Sequence, residues 1–472
     1  MRFARNAPFF TGVAVALLAA SALALWLPAL WTPFWGDDYV FLHAAHATNA
    51  SGAPWWSDFW PTSPVRFWRP LSQEAYWRFV DAALDSNAFA AHAVNLAFHV
   101  LASLGVALLA HRVARACAWT PAGWIAALAA AMYGTLTMHL MPVHWAAAAN
   151  NAMLTLFTTL ALAAWIGARD ARGRVRVALL ASVPVSLALA LLCKESAALT
   201  PGLMIVVALF VGVRRPRADE ILAWLATVAV VVAWLVLRGR FTANTDAAYE
   251  LGFGSHVVRN AASFAAWLLN VPREALRMVV AGDRAAGLAW MAATALPMLA
   301  AWALAFWCSR RALVVRQWLA LPAFAVLAYG PYFLFAWNSY EYYAAIAAIL
   351  PVIAMARCIV GTPRALAVAA LVALSSWIAV EGTRRLDHPG LIGRARWAEA
   401  TLQALERQPT PATPLHVAVA DEQRFYAIGG WGLAWRLDVP LQSISVAREC
   451  PSTGTCLIIE SDGRTHWRQD GD

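Results

Sequence analysis

A chain of 472 residues has room for several soluble domains, but 61% hydrophobic content with only 13% charged residues and a mean hydropathy of +0.57 exclude that class and describe a polytopic membrane protein. The net charge of +9 does not make it a nucleic-acid binder. Its arginines fall in short clusters between hydrophobic runs, which is the positive-inside pattern and not a basic face.

Arg2 and Arg5 precede an apolar run from Phe9 to about Trp31, long enough to cross the hydrocarbon of a bilayer. The basic start predicts a cytoplasmic N-terminus. Ser21-Ala22-Leu23-Ala24 also reads as a signal-peptide cleavage site, but the run is longer than a usual signal core and is read as a retained helix. Residues 32–87 form a polar, aromatic loop predicted to lie outside, opening on Trp35-Gly36-Asp37-Asp38-Tyr39. Of the 25 tryptophans, Trp31, Trp35, Trp55, Trp56, Trp60 and Trp68 crowd this region, as an interfacial belt does.

Further spans fit 88–110, 121–141, 147–167, 177–193, 196–213, 220–238, 286–308, 317–336, 343–360 and 364–380, so that the expected total is about eleven. Alternate connections should then be basic, and they carry Arg112 and Arg115; Arg169, Arg172, Arg174 and Arg176; Arg214, Arg215 and Arg217; Arg310, Arg311 and Arg316; and Arg364. Arg259, Arg273, Glu274 and Arg277 interrupt the weaker run at 256–281. Residues 239–285 are therefore read as a second outer loop with an amphipathic helix lying on the membrane.

Beyond Val380 the composition is that of a soluble chain, with a predicted helix over 391–408 and strands at His416–Ala420 and Cys456–Glu460. The division is thus a membrane module, 1–380, and a small α/β C-terminal domain, 381–472, which parity places outside. There Cys450 and Cys456 are candidates for a disulfide. Cys117, Cys193, Cys308 and Cys358 fall in or beside spans and read as packing residues.

On this topology the unusual polar residues collect at the outer face. They are Asp37 and Asp38; Arg66, Arg69, Gln73 and Glu74; His139, His144, Asn150 and Asn151; Lys194 and Glu195; and Tyr340, Glu341, Tyr342 and Tyr343. A transporter would carry its ionisable groups near the midplane, in broken helices of corresponding halves. Plainer readings stand beside a reaction cavity: an N-cap for the acid pair, an ion pair capping two helices for Lys194-Glu195, polar turn residues for the histidines, and belt residues for the tyrosines. The five-residue spacing of His139 and His144 across Pro142 does not suit a helical metal pair.

Several of these stretches resemble the GT-C membrane glycosyltransferases of bacteria, near the protein O-mannosyltransferases, the lipid A aminoarabinose transferases and the tetratricopeptide-bearing transmembrane O-mannosyltransferases. They are Asp37-Asp38-Tyr39, Arg69-Pro70-Leu71-Ser72, Ala91–Leu96 with His99, the His139–Trp145 turn, Lys194-Glu195-Ser196 and the Trp337–Tyr343 loop, and they cover about residues 9–380. The C-terminal residues show no tetratricopeptide periodicity.

The resemblance implies a GT-C fold in the bacterial inner membrane, a polyprenyl-phosphate-linked sugar as donor, and a cell-envelope glycan, lipid or protein as acceptor. It makes Asp37 the expected general base and Asp38 an orienting residue or the holder of a divalent metal ion. Lys194, then Arg69 and Arg66, are expected on the donor phosphate. His139, His144, Glu195, Glu341 and Tyr342 are expected in the cavity wall. A lipid-linked-sugar flippase and a non-catalytic assembly subunit are the alternatives.

Overall fold

A computed structural model describes residues 7–213, 215–243, 249–307, 312–336, 339–387, 390–407, 414–452 and 455–468. Arg2, Arg5, Arg214, Cys308, Arg310, Arg311 and Trp337, which carry parts of the sequence reading, lie outside the described residues.

Every predicted span coincides with helix, but the helices are unequal. Among the described residues eight are long and apolar enough to cross a membrane: Pro8–Trp31, Ala88–Ala116, Ala146–Gly167, Gly173–Leu191, Ala218–Phe241, Arg284–Phe306, Val315–Leu334 and Arg364–Arg385. Ala122–Thr135 and Thr137–His144 make a ninth if counted as one span bent by 61°. Two more of the about eleven expected spans fall on Glu195–Val211 and Ile349–Ile359, which are apolar but shorter helices. The bend has a local cause: Leu136 takes an extended conformation between the two pieces, so the helical hydrogen bonds are interrupted there.

The basic connections do meet at one end of the bundle. Arg169 pairs with Glu220 at 2.6 Å and Arg176 with Asp219 at 2.6 Å, while Arg115 approaches Asp170 at 3.8 Å. Glu220 is buried, and two guanidiniums plus the Arg217 N–H saturate it, as a buried carboxylate requires.

The 256–281 segment forms two helices, Ser255–Leu268 and Arg273–Ala281, instead of the one expected, and neither is long enough to span. Asn270 makes the break. It sits at φ 64°, a left-handed conformation that Asn tolerates better than most residues. Its side-chain oxygen accepts from the Thr137 N–H at 2.8 Å, and its amide donates to Ser376 at 2.8 Å. The loop is thereby tied into the bundle.

The first loop is also structured, with Asp37–Ala50 and Tyr76–Leu84 as helices and a π-helical turn at Pro70–Ala75 between them. At the C-terminus the helix Leu391–Glu406 packs Leu391, Ala395, Ala398, Leu402 and Leu405, one face at helical spacing. They lie against strands β1 (Leu415–Val419), β2 (Ile444–Ala447), β3 (Cys456–Ile459) and β4 (Thr465–Arg468). Strand order is β2-β1-β3-β4, with β1 parallel to both neighbours and β4 antiparallel to β3. Cys450 and Cys456 are joined in a disulfide, and Cys117 and Cys193 are free thiols. One continuous apolar cluster runs from this sheet through Trp35, Tyr39 and Trp77 of the first loop to Trp26 of the first span. The C-terminal domain is seated on the first loop.

Candidate active site

Gly36 turns the chain into the Asp37–Ala50 helix at φ 59°, a conformation open to Gly at little steric cost. That places both acids in the first helical turn, where the helix dipole favours negative charge. Their environments then diverge. Asp38 is 0% exposed, and its two oxygens accept from the Trp35 N–H at 3.1 Å and the Ala147 N–H at 2.8 Å. It ties the first loop to the turn before the Ala146–Gly167 span. Asp37 is half-buried and faces a cavity, with its Oδ1 accepting the Tyr426 phenol at 2.9 Å. Burial raises its carboxyl above the usual range, and the Tyr426 hydroxyl and the Arg66 charge pull it back.

Arg69 precedes Pro70 with φ −131° and ψ 58°, outside the helical region that the ring of a following proline disfavours. Hydrogen bonds from Leu71 N–H to the Leu192 carbonyl at 3.2 Å and from Ser72 to the Cys193 carbonyl at 2.8 Å clamp this stretch to the 192–194 turn. The clamp brings Arg69 to Glu195 in a fork: Nε lies 3.0 Å from Oε1 and Nη2 lies 2.7 Å from Oε2. Lys194 is 5% exposed. Its ammonium donates to Asn151 Oδ1 and lies 4.7 Å from the ring centroids of both Tyr342 and Tyr343. Burial, and then the Arg69 charge, hold its pKa well below the usual lysine range, against the pull of Glu195.

These groups line two adjoining cavities. The first, of about 520 Å³, holds Asp37, Arg66, Arg69, Glu74, Asn150 and Asn151. The second, of about 700 Å³, holds Lys194, Glu195, Arg238, Tyr332 and Tyr343. Phe67, Arg69, Asn150, Tyr249 and Tyr342 belong to both.

The structure does not bring every expected residue to this place. His139 and His144 line neither cavity; both are buried, and their rings pack on His99 and on Trp26 respectively. The bend at Leu136 turns them into the bundle. Glu341 is buried and also lines neither cavity. It lies near Glu274 and Arg273, and burial first, then the Glu274 charge, push its pKa up to about 8. Asp38 is spent on two backbone N–H groups, and among the described residues no three His, Cys, Asp or Glu side chains converge as a metal site requires. The donor set around Asp38 does not fit a divalent ion.

Other lining residues went without a role in the sequence reading. Arg238 ends an apolar helix on the wall of the second cavity, and an arginine at that end runs against the positive-inside pattern, which was its signal. Tyr249 and Tyr426 gave none. Glu74 stood among the outer polar residues, and its Oε2 is buried with no hydrogen-bond partner among the described residues. Burial first, then Asp58, push its pKa up to about 7. A raised acid holds in the folded state a proton that the unfolded chain releases, so stability falls as pH rises from about 4.5 towards 7. Glu74→Gln removes that loss. The variant is expected to match the wild type in thermal unfolding at pH 5 and to exceed it at pH 8, by on the order of 1 kcal/mol after solvent screening in the cavity. Equal midpoints at both pH values, followed by tryptophan fluorescence, would count against a raised Glu74.

The bundle, the short helices and the seated α/β domain define the GT-C type of polytopic membrane fold. Solved structures carry the same architecture in ArnT from Cupriavidus metallidurans. Bound to undecaprenyl phosphate, that protein aligns at a TM-score of 0.52 and 14% identity, over 95% of this chain and 93% of its own. In the apo state it aligns at 0.52 and 16%, over 92% and 85%. No protein-family model and no curated protein matches the sequence.

Proposed function

We propose that this chain is a membrane glycosyltransferase that moves a sugar from a polyprenyl-phosphate-linked donor to an acceptor of the cell envelope. In this reading it works at the extracytoplasmic face of the bacterial inner membrane. The observation that carries it is the pair of cavities, with Asp37 on the wall of the first, Lys194 and Arg238 on the wall of the second, and Arg69 on the wall they share. The fold shared with a protein that binds undecaprenyl phosphate supports a lipid phosphate as one ligand.

The residues suggest the division of labour. An acceptor hydroxyl or amine enters the first cavity, and Asp37 takes its proton as the nucleophile attacks the anomeric carbon. The bond from that carbon to the phosphate oxygen breaks, and the polyprenyl phosphate leaves with the electron pair. Lys194 and Arg69 stabilise the departing dianion. Arg69 is already neutralised by Glu195, whereas Lys194 pairs with no carboxylate among the described residues. Lys194 is therefore assigned the larger share. Arg66, between the Phe67 and Tyr249 rings on the first-cavity side, is assigned to the sugar–phosphate junction. The energy comes with the lipid-linked sugar, so no nucleotide site is required.

The test is sugar release by purified protein in detergent from a panel of radiolabelled polyprenyl-phosphate sugars, with binding of the bare polyprenyl phosphate measured in parallel. Release from at least one donor is the expected result. Binding without release from any donor would sink the enzyme reading and favour a carrier of the lipid-linked sugar.

A further inference from the structure

Asp37 is held by a residue of a different domain. The Tyr426 hydroxyl donates to Asp37 Oδ1 at 2.9 Å across 389 positions of sequence. Beside it the Gly36 N–H donates to the Ala427 carbonyl at 2.8 Å, so the backbones flanking the acid and the phenol are bonded to each other. The approach is close enough that a Cβ on Gly36 would sit 3.5 Å from the Tyr426 ring. Phe425, Ala427 and Ile428 are buried around the tyrosine, which fixes where its ring emerges. Trp431, one helical segment further on, forms part of the first cavity's wall.

A carboxylate acting as base needs one oxygen aimed at the acceptor, and a donor on the other oxygen sets the rotamer that aims it. A hydrogen bond to the charged form also keeps it charged where burial would protonate it. Resting on Asp37 as the base, we propose that Tyr426 is its positioning residue, so that the C-terminal domain completes the active site. Tyr426 holds Oδ1, and Oδ2 is the oxygen left to receive the acceptor's proton.

The charged and titratable groups around the pair are Arg66 and Asp38 beside Asp37, and Arg394 and Tyr340 beside Tyr426. All of them remain in Tyr426→Phe, which deletes only the hydroxyl. Because Tyr426 is 47% exposed, the change removes no core packing.

Two readouts separate this proposal from the glycosyltransferase reading. In transfer assays of the full chain, Tyr426→Phe is expected to lower kcat roughly tenfold, as loss of a hydrogen bond to a charged group does. The acidic limb of its pH profile should move to higher pH, and KM for the donor lipid should stay the same. Independently of turnover, the Asp37 carboxyl band, identified by infrared difference against Asp37→Asn, should titrate at higher pH in Tyr426→Phe than in wild type. If no donor is turned over but the band shifts, the positioning contact stands and the enzyme reading falls. An unshifted band overturns the proposal, as does a kcat and pH profile superimposable on wild type.

Discussion

Asp37→Asn is expected to cut sugar transfer steeply while leaving the donor lipid bound. Asn keeps the volume of Asp, and its side-chain oxygen still accepts the Tyr426 hydroxyl, so the loop is not rearranged. What disappears is the only property a general base needs, a charged oxygen able to take a proton. Positioned bases contribute about 10²- to 10⁴-fold, and that is the expected fall in kcat. Binding of the polyprenyl phosphate should be unchanged, because the cations of the second cavity are untouched. A base must be ionised to act, so wild-type kcat/KM should fall as pH drops through the Asp37 pKa, which burial raises above the usual carboxyl range. The residual activity of Asp37→Asn should lack that limb.

Asp38→Asn is expected to act on folding instead. Asn presents one oxygen and one NH₂ where two backbone N–H groups expect acceptors, and a buried unsatisfied pair costs about 1–3 kcal/mol. The thermal midpoint should fall in this variant and hold in Asp37→Asn. Near wild-type transfer by Asp37→Asn would remove Asp37 from the chemistry.

The contrast between these neighbours marks the limit of what the chain's sequence discloses. Long apolar runs and alternating arginine clusters placed the helices, because hydrocarbon thickness and charge asymmetry act on local stretches. They could not separate the short Ile349–Ile359 from a full span, since composition does not show where a helix ends inside a bundle. Of the site, Asp37, Arg66, Arg69, Lys194, Glu195 and Tyr342 were legible as polar residues at the predicted outer ends of spans, and they do line the two cavities. The histidines were misplaced. A bend at Leu136 is set by backbone conformation that no spacing of apolar residues announces, and it turns His139 and His144 inward. Tyr426 was invisible for another reason. Its contact with Asp37 depends on how a separate sheet domain is seated, and residues so distant in sequence leave no local pattern.

Lys194→Ala is expected to weaken binding of the polyprenyl phosphate without unfolding the protein. Its ammonium sits between aromatic faces and one amide oxygen, and cation–π contact of this kind is worth about 0.5–2 kcal/mol, too little to offset full burial of a charge. Burial and Arg69 accordingly depress its pKa. An arriving phosphate supplies the missing counter-charge and raises that pKa, so binding takes up a proton. Affinity for the polyprenyl phosphate should therefore fall as pH rises above the depressed pKa of the free protein. A charge-assisted bond to an anion contributes about 1.5–3 kcal/mol, and Lys194→Ala should weaken binding about 10- to 100-fold. It should also flatten the pH dependence.

The free protein should be no less stable without the buried ammonium, since the alanine removes an unpaired charge. Loss of affinity with preserved folding would thus come from one missing contact. Lys194→Arg restores a charge but not the geometry of a point cation between Tyr342 and Tyr343, and it should recover only part of the affinity. Wild-type affinity in Lys194→Ala, measured with the bare polyprenyl phosphate across pH, would move the phosphate site away from Lys194 and towards the Arg69–Arg66 side of the common wall.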